Sequence, residues 1–436
     1  MTLAGKSGRE SVVILGARAV DPTEGLDALV DLRIDAGIIS RIEPAGSRLD
    51  LNGHRVVEGE GLVLAPAFVD PHVHLRTPGR EDEEDIASGT RAAAAGGYCA
   101  ILAMPNTDPV VDSASVLGAL LERARTQAEV PVGFLAAITK GQEGEELTEM
   151  IELAEAGAAG FSDDGRPVVA PSLMRRALQY NAAAGRPIAL HCEEPTLSRG
   201  GQMHEGAVSA ELGFGGYPAV AESLMVGRDL ALARYEGEGL HLLHLSARGS
   251  VEELRAAQAE GVRATAEVTP HHLCLTDEAV RSLDSNVKMN PPLRAEEDRE
   301  TLLEALRDGS IAAIATDHAP HARHEKEVPF EGAPFGVTGL ETAFSVLYTR
   351  LVKPGLLELG TLLERMSAGP ARIYGLERPQ IAVGAPANLV LLDLEATWEP
   401  SETGFQSKSA NSWLLGATLQ GTVALTLAAG RMAHSA

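Results

Sequence analysis

Short apolar runs alternate with long helical stretches from about residue 62 to about residue 375, and this alternation limits the possible folds more than any other feature. The runs lie at 62–69, 98–104, 132–138, 159–161, 187–190, 240–245, 263–268 and 311–315. Segments rich in alanine, glutamate and arginine separate them, for example 86–95, 114–126, 147–156, 171–184, 250–259 and 295–307. Repeated strand–helix units form parallel sheets, so eight of them predict a (β/α)8 barrel, with a doubly wound sheet as the alternative.

The two ends of the chain have a different pattern. Residues 11–51 and 388–436 contain apolar runs but no long helical stretch. Neither piece offers enough apolar surface for an independent core, so we expect both to contribute strands to one small β domain. The predicted domains are a β-sandwich assembled from 1–62 and 378–436, and a barrel formed by 63–377.

Composition argues against several classes of partner. The chain has 436 residues and a net charge of −24, which would repel nucleic acid and anionic membrane surfaces. No stretch reaches the roughly 18 consecutive apolar residues of a membrane helix, and the first residues lack the apolar core of a signal peptide. Cys99, Cys192 and Cys274 form no Cys-x-x-Cys pair and are typical of reduced, buried thiols. We therefore expect a cytoplasmic protein.

Polar residues follow several of the apolar runs, at the strand ends where barrel enzymes carry their active sites. His72, His74 and Arg76 follow the first run, and residues two apart in an extended segment face the same side. Later runs lead into further candidates, namely Asp163, Asp164, His191, His244 and Asp317. Burying so many polar groups is costly unless they bind a metal or one another.

Four histidines, Asp317 and one aspartate of the adjacent pair Asp163–Asp164 exceed what one tetrahedral zinc needs, which favours a binuclear centre bridged by Asp164. Two metals that share a bridging water supply hydroxide at neutral pH, and one of them can polarise a carbonyl, a combination that hydrolyses amides. Asp317 is placed to accept the hydroxide's proton and to pass it to the departing nitrogen. The planar cation of Arg76 suits a carboxylate, so the substrate is predicted to be anionic.

A set of motifs extends over nearly the whole chain. The sequence reads DPHVHLRTPG at 70–79, MPNT at 104–107, FSDDG at 161–165, HCE at 191–193, NPPLR at 290–294 and TDHAPH at 316–321. These motifs resemble, in order, those of the bacterial type I dihydroorotases of the amidohydrolase superfamily. The resemblance implies a distorted (β/α)8 barrel with a small β domain built from both termini. It also implies two zinc ions per chain and the reversible cyclisation of N-carbamoyl-L-aspartate to (S)-dihydroorotate in pyrimidine biosynthesis.

The resemblance also assigns roles to individual residues. His72, His74 and Asp317 would bind one zinc, His191 and His244 the other, and Asp164 would bridge them. The family uses the second aspartate of the pair, which makes Asp163 a supporting residue, although the sequence alone does not separate the two. The implied substrate contacts are His74, Arg76, Asn106, Asn290, His321 and the backbone at Phe335 and Gly336.

Four other segments receive less specific predictions. The charged runs 80–85 and 143–146 are typical of solvated helix starts. His271 and His272 follow the seventh run, and we expect a structural role for them. The segment 322–334 is rich in charge, proline and glycine and is interpreted as a mobile loop over the site.

Related functions stay open at this point. Hydantoinases, dihydropyrimidinases and allantoinases share the fold and the cyclic-amide chemistry, but they typically bridge their metals with a carboxylated lysine, a role for which Lys140 is a candidate. Arg76 favours dihydroorotate, because the neutral rings of hydantoin and dihydrouracil would leave a buried arginine unpaired. A metal-free scaffold that serves aspartate transcarbamoylase would have lost ligands, and none of the six is missing. We expect a homodimer, and association of an active enzyme with aspartate transcarbamoylase stays open.

Overall fold

The structure is a computed structural model that describes residues 1–436. Its strands are β1 (Val12–Asp21), β2 (Leu26–Asp35), β3 (Ile38–Pro44), β4 (Arg55–Glu58), β5 (Val63–Pro66), β6 (Phe68–Val73), β7 (Tyr98–Ala103), β8 (Val132–Phe134), β9 (Ala189–Leu190), β10 (Met203–His204), β11 (Gly216–Tyr217), β12 (Leu240–Leu242), β13 (Ala264–Val268), β14 (Ala313–Ile314), β15 (Leu389–Trp398), β16 (Leu419–Ala428) and β17 (Arg431–Ser435). Its α-helices are α1 (Ile86–Ala95), α2 (Ala114–Gln127), α3 (Met150–Ala156), α4 (Pro171–Ala184), α5 (Pro195–Ser198), α6 (Ala207–Leu212), α7 (Val220–Glu236), α8 (Arg248–Ala259), α9 (Pro270–Cys274), α10 (Glu296–Asp308), α11 (Arg323–Lys326), α12 (Ala343–Leu347), α13 (Leu359–Met366) and α14 (Ala368–Ile373).

Strands from both ends of the chain form one eight-stranded sheet. Its order is β17-β16-β15-β5-β1-β2-β3, and β4 pairs with β1. The antiparallel ladder between β5 and β15, in which Pro66 lies opposite Leu389, joins the N-terminal strands to the C-terminal ones. A separate apolar cluster under this sheet includes Val12, Leu64 and Leu391, so its core requires both ends. The structure shows one connected sheet, and its arrangement as a sandwich stays a prediction.

The repeated strand–helix units form two parallel sheets, with the orders β6-β7-β8 and β14-β13-β12-β9. Isolated parallel bridges connect the edges of these sheets, from Ala136 to Phe161, from Phe161 to Ile188 and from Val73 to His318. Because the connections are single bridges, the strands do not form a continuous closed ladder. The α/β alternation and the parallel pairing are as predicted.

The predicted fourth strand, 159–161, is wrong as an extended strand. Only Phe161 makes bridges, and its N–H donates to Pro187 O at 2.9 Å. The chain then leaves the sheet at once, because the carboxylate of Asp163 accepts the backbone N–H of Ile138 at 2.7 Å. This turn places Asp164 directly beyond the strand end.

Local capping explains why two helices match their predicted bounds. Asp85 begins α1, and its carboxylate accepts the N–H of Ser88 at 2.8 Å. Pro171 occupies the first position of α4, and Gly185 ends that helix with a φ of 64°. The 17-residue helix α7 was not predicted, since its buried side includes the charged Glu222 and Asp229 and lacks a clean apolar stripe. None of the helices combines the length and apolar character that spanning a membrane requires.

Candidate active site

The ends of the parallel strands bring the predicted ligands together around a cavity of about 200 Å³. The six side chains of His72, His74, Asp164, His191, His244 and Asp317 are all buried. Every predicted site residue except His72 lines the cavity, including Arg76, Asn106, Asn290, His321, Phe335 and Gly336. His72 is fully buried and contacts the carboxylates of Asp164 and Asp317.

Asp164 lies at the centre of the histidines. Its Oδ2 atom is 3.7 Å from His72 Nε2 and 3.6 Å from His74 Nε2. Its Oδ1 atom is 3.6 Å from His191 Nδ1 and 3.5 Å from His244 Nε2. Each carboxylate oxygen therefore faces its own pair of imidazoles, which is the arrangement that a residue shared between two ions requires.

Within the histidine–aspartate cluster, two groups of three side chains have ligand atoms within 4.8 Å of one another. One group is His72, His74 and Asp317, and the other is His72, Asp164 and His244. His72 Nε2 and His244 Nδ1 are buried and have no hydrogen-bond partner. Because unpaired buried nitrogens are costly and imidazole with carboxylate is a donor set that zinc accepts, these residues fit a divalent metal.

The electrostatics of the cluster favour ionised aspartates. Burial by itself would raise the pKa of Asp164 and of Asp317, but the neighbouring imidazoles, His72 foremost, hold both below the usual range. For His72, burial acts to lower the pKa, and the two aspartates outweigh it and raise the pKa well above the usual value. The carboxylates are therefore available as anionic ligands.

Glu267 lies behind His72, on the side of the ring away from Asp164 and Asp317, and contacts its Nδ1. The sequence did not predict a role for this residue. It is fully buried in β13, where its Oε1 lies 2.8 Å from His72 Nδ1 and its Oε2 lies 2.9 Å from His241 Nε2. His241 in turn lies 2.9 Å from the hydroxyl of Thr265. Hydrogen bonds of this kind orient a metal-binding imidazole and select its tautomer. The available signal was a glutamate near the end of the predicted strand at 263–268.

The structure separates the two adjacent aspartates. Asp163 turns away from the histidines, accepts the N–H groups of Ile138 and Thr139 at 2.7 and 3.1 Å, and also accepts the Thr139 hydroxyl. Burial raises the pKa of Asp163 to about 6. Lys140 lies outside the cavity, with a half-exposed ammonium 2.5 Å from Glu146 Oε1. Asp164 therefore occupies the position between the histidines, and Lys140 does not.

Arg76 lines the same cavity and contributes a cationic group to it. Its side chain is 13% exposed, and its Nε donates to Pro320 O at 3.0 Å and lies 3.0 Å from Glu83 Oε2. These contacts use Nε, and of the terminal nitrogens Nη2 lies 3.4 Å from His321 Nε2. Burial lowers the pKa of Arg76, while Glu83 acts in the other direction, so the guanidinium stays charged.

Polar groups beside Arg76 are already oriented. Asn106 Oδ1 lies 2.9 Å from His74 Nδ1, and its amide nitrogen donates to Asp164 at 3.3 Å. The Asn290 amide donates to Glu193 at 3.0 Å, and Glu193 lies 2.9 Å from His191 Nε2. These contacts link the predicted substrate residues to the histidine cluster.

His321 and Gly336 close the cavity near Arg76. His321 Nε2 donates to Phe335 O at 2.8 Å, and burial followed by the charge of Arg76 lowers the pKa of His321 to about 3. Gly336 has a φ of 121°, and a Cβ there would lie 2.7 Å from that of Ala319. Glycine is therefore required for the backbone to line the cavity at this point.

The expectation of a solvated run at 80–85 is wrong for two of its residues. Glu83 and Glu84 are fully buried. Glu83 pairs with Arg76 and Arg80, and Glu84 lies 3.3 Å from His318 Nε2. The prediction of a solvated run was wrong here because Glu83 is paired with Arg76 and Glu84 with His318, and both of these partners lie outside 80–85.

His271 and His272 take no part in the cluster of ligands. His272 lies 2.8 Å from Thr269 Oγ1 and 3.0 Å from Pro291 O. Burial lowers the pKa of both histidines, that of His272 to about 4. Neutral, hydrogen-bonded His272 packs behind the Asn290 segment, in line with the structural role predicted for it.

Comparison with known proteins places this geometry in a family. A family model described as dihydro-orotase-like matches residues 61–250. Dihydroorotase from Syntrophus aciditrophicus (strain SB) is 44% identical over 423 residues, covering 97% of this chain and 99% of that protein. Dihydroorotase from Geobacter sp. (strain M21) is 43% identical over 426 residues, covering 98% and 100%.

Solved structures show the same fold. L-hydantoinase (dihydropyrimidinase) from Arthrobacter aurescens superposes with a TM-score of 0.87 at 25% identity, covering 98% of this chain and 96% of that one. Dihydropyrimidinase from Brevibacillus agri NCHU1002 gives a TM-score of 0.82 at 22% identity, covering 97% and 94%. The α/β fold and the histidine–aspartate cluster define the chain as an amidohydrolase. Its near-full-length relatives are more specific: the chain belongs to the dihydroorotase family.

Proposed function

We propose that the chain is a dihydroorotase that interconverts N-carbamoyl-L-aspartate and (S)-dihydroorotate in pyrimidine biosynthesis. The observation that carries the proposal is a largely buried guanidinium, that of Arg76, on the same small cavity as the histidine–aspartate cluster. An amide held near the cluster can place a carboxylate of the same molecule at Arg76. The relatives named dihydroorotase support this substrate.

We assign His72, His74 and Asp317 to one zinc ion, His191 and His244 to a second, and Asp164 to both. The unpartnered Nε2 of His72 and the two-sided surroundings of Asp164 support this assignment. When bound, such ions activate water and polarise the amide carbonyl. Glu267 keeps His72 oriented through the 2.8 Å contact at Nδ1.

Proton transfer is assigned to Asp317. Its Oδ1 lies 3.0 Å from His74 Nε2, and the imidazoles hold the pKa of the carboxyl below its usual range. Asp317 is assigned to accept the proton that the attacking water loses during ring opening and to return it to the departing nitrogen, with the reverse order during cyclisation.

We assign substrate orientation to the wall of the cavity that carries Arg76. Arg76 supplies two terminal nitrogens in a plane, which match the two oxygens of a carboxylate better than a lysine would. Asn106, Asn290, His321 and the backbone of Phe335 and Gly336 complete the assigned contacts, together with His74. All of them line the cavity.

A hydantoinase or dihydropyrimidinase is the second candidate, because solved structures with those names share the fold. Two observations favour dihydroorotate instead. A neutral ring offers no carboxylate to Arg76, whose only carboxylate contact is the one between its Nε and Glu83, so the cationic wall would add nothing to its binding. Lys140, the candidate for a bridging carboxylated lysine, is half-exposed and paired with Glu146.

Several finer assignments belong to the same proposal. We propose a distorted (β/α)8 barrel over 63–377 and a small β domain from 1–62 and 378–436, supported by the parallel bridges and the shared terminal sheet. A cytoplasmic location, a homodimer and association with aspartate transcarbamoylase stay predictions.

The test is a side-by-side assay of the zinc-reconstituted protein on dihydroorotate, hydantoin, dihydrouracil and allantoin, with zinc measured in the same samples. We expect turnover of dihydroorotate above the other three and a zinc content near two per chain. Preference for a neutral ring would refute the substrate assignment. A reproducible content near one zinc would refute the binuclear assignment.

A further inference from the structure

Two lysines beside the cavity are buried, although neither was predicted to have a role. Lys288 and Lys326 are only 2% and 6% exposed. A buried ammonium group is costly unless its hydrogen atoms are bonded. Burial lowers the pKa of Lys288 to about 8 and that of Lys326 to about 7, which shows how strongly their positions disfavour charge.

Both ammonium groups donate to uncharged oxygens, and nearly all of these oxygens belong to one short backbone segment. Lys288 Nζ donates to Phe330 O at 2.7 Å and to Glu331 O at 3.0 Å, and also to the Gln202 side chain at 2.7 Å. Lys326 Nζ donates to Pro334 O at 3.0 Å and to Gly336 O at 2.9 Å. The two lysines therefore hold the backbone of residues 330–336 at four carbonyl oxygens.

This segment carries the backbone that lines the cavity at Phe335 and Gly336. The main chain of Lys288 adds a further contact, because its carbonyl accepts the Gly336 N–H at 2.9 Å. The Lys288 ammonium also lies 4.8 Å from the centre of the Phe335 ring. The main chain of Lys326 is held as well, because the Ser285 hydroxyl donates to Lys326 O at 2.6 Å. The composition of 322–334 predicted a mobile loop, whereas these contacts hold its C-terminal part in place.

We propose that Lys288 and Lys326 form a lysine clamp, a pair of positioning residues that holds the Phe335–Gly336 backbone in its substrate-binding conformation. The clamp does not reach the reacting atoms, and its effect passes through the 330–336 backbone. Each lysine nitrogen donates to two backbone carbonyl oxygens at once and so fixes their separation, and these hydrogen bonds are strongest when the lysine is protonated. The link to substrate binding rests on the proposed function, whereas the holding of the segment does not.

The test combines Lys288→Met and Lys326→Met with Lys353→Met as a matched control, since the exposed Lys353 contacts Gln420 in the terminal sheet. Methionine keeps the length of the side chain and removes its donors. On zinc-loaded enzyme, we expect either clamp variant to raise the KM for dihydroorotate about tenfold, with a much smaller change in kcat, because a group that orients the bound substrate is displaced. The control should leave both constants unchanged.

Amide hydrogen exchange measures the clamp without any substrate. We expect exchange in 327–336 to become about tenfold faster or more in both clamp variants, while the central strands keep their protection. Ser285→Ala is a milder variant if a lysine substitution prevents folding, because it removes only the hydroxyl contact to Lys326 O. It should accelerate exchange in the same segment to a smaller extent.

Three results would overturn the clamp. They are unchanged exchange in 327–336, faster exchange throughout the chain, and a fall in kcat without a rise in KM. Failure of the proposed function looks different, because the wild-type protein would then show no turnover of dihydroorotate. In that case hydrogen exchange would still decide whether the two lysines hold the segment.

Discussion

Replacing Glu267 with leucine should weaken zinc binding, although Glu267 is not one of the assigned ligands. Its carboxylate is fully buried and lies within 2.9 Å of ring nitrogens of both His72 and His241. Leucine removes both acceptors and leaves the imidazole N–H groups without partners in a site that excludes water. The orientation of His72 then depends on packing alone.

The size of the effect follows from these contacts. Loss of a hydrogen-bonded partner of a metal-binding histidine typically reduces metal affinity about 10- to 100-fold, equivalent to about 1.4–2.7 kcal/mol. Glu267→Gln is the matched comparison. Its oxygen can still accept from His72 Nδ1, and its amide can donate to His241, whose other nitrogen faces the adaptable hydroxyl of Thr265. We expect the glutamine variant to lose less than about tenfold.

Competition with a chromophoric chelator would measure zinc affinity in the wild-type and both variants, and urea unfolding would report their stability. The expected order of affinity is wild-type, then glutamine, then leucine. Wild-type affinity in Glu267→Leu would refute the reasoning, because it would show that packing alone orients His72. A glutamine variant as weak as the leucine variant would show that the negative charge of Glu267 matters more than its hydrogen-bond geometry.

Three further substitutions test separate parts of the site and its surroundings. Asp317→Asn should lower kcat about 10²- to 10⁴-fold, because an amide cannot accept the proton, while elemental analysis finds most of the zinc retained; wild-type turnover would exclude Asp317 as the proton carrier. Arg76→Lys should raise the KM for dihydroorotate at least about tenfold, since a point charge replaces a planar fork, and unchanged kinetics would contradict carboxylate binding there. Burial raises the pKa of Glu341 from 4.5 to about 7, so its ionisation costs folding free energy as pH rises through that interval. Glu341→Gln should therefore match the wild-type protein in urea at about pH 4 and exceed its stability by up to about 3 kcal/mol near pH 8; equal stability at both pH values would contradict this.

Local pattern was enough to predict most of the secondary structure. The helices at 86–95 and 171–184 have their predicted bounds, because Asp85, Pro171 and Gly185 act on the backbone within a few residues. The strand at 159–161 was overpredicted, because its length depends on neighbours that come from 136 and 188. Local apolar composition does not report which partner a strand will have.

The sequence by itself determined the alternation of strands and helices, the family, and the set of side chains that meet at the strand ends. It could do so because parallel strands place their carboxyl ends at one edge, whatever the details of packing. Only the tertiary structure decided that Asp164 faces the histidines while Asp163 bonds to the backbone, and that Glu267 lies beneath His72. These outcomes depend on the direction of each side chain.

Burial of charge was also decided by tertiary structure. Glu83 and Lys326 belong to segments that read as solvated or mobile, yet both are buried. Their partners are Arg76 for the first and the carbonyl oxygens of Pro334 and Gly336 for the second. A charged side chain can be buried only where partners meet it, and the fold alone brings those partners into place.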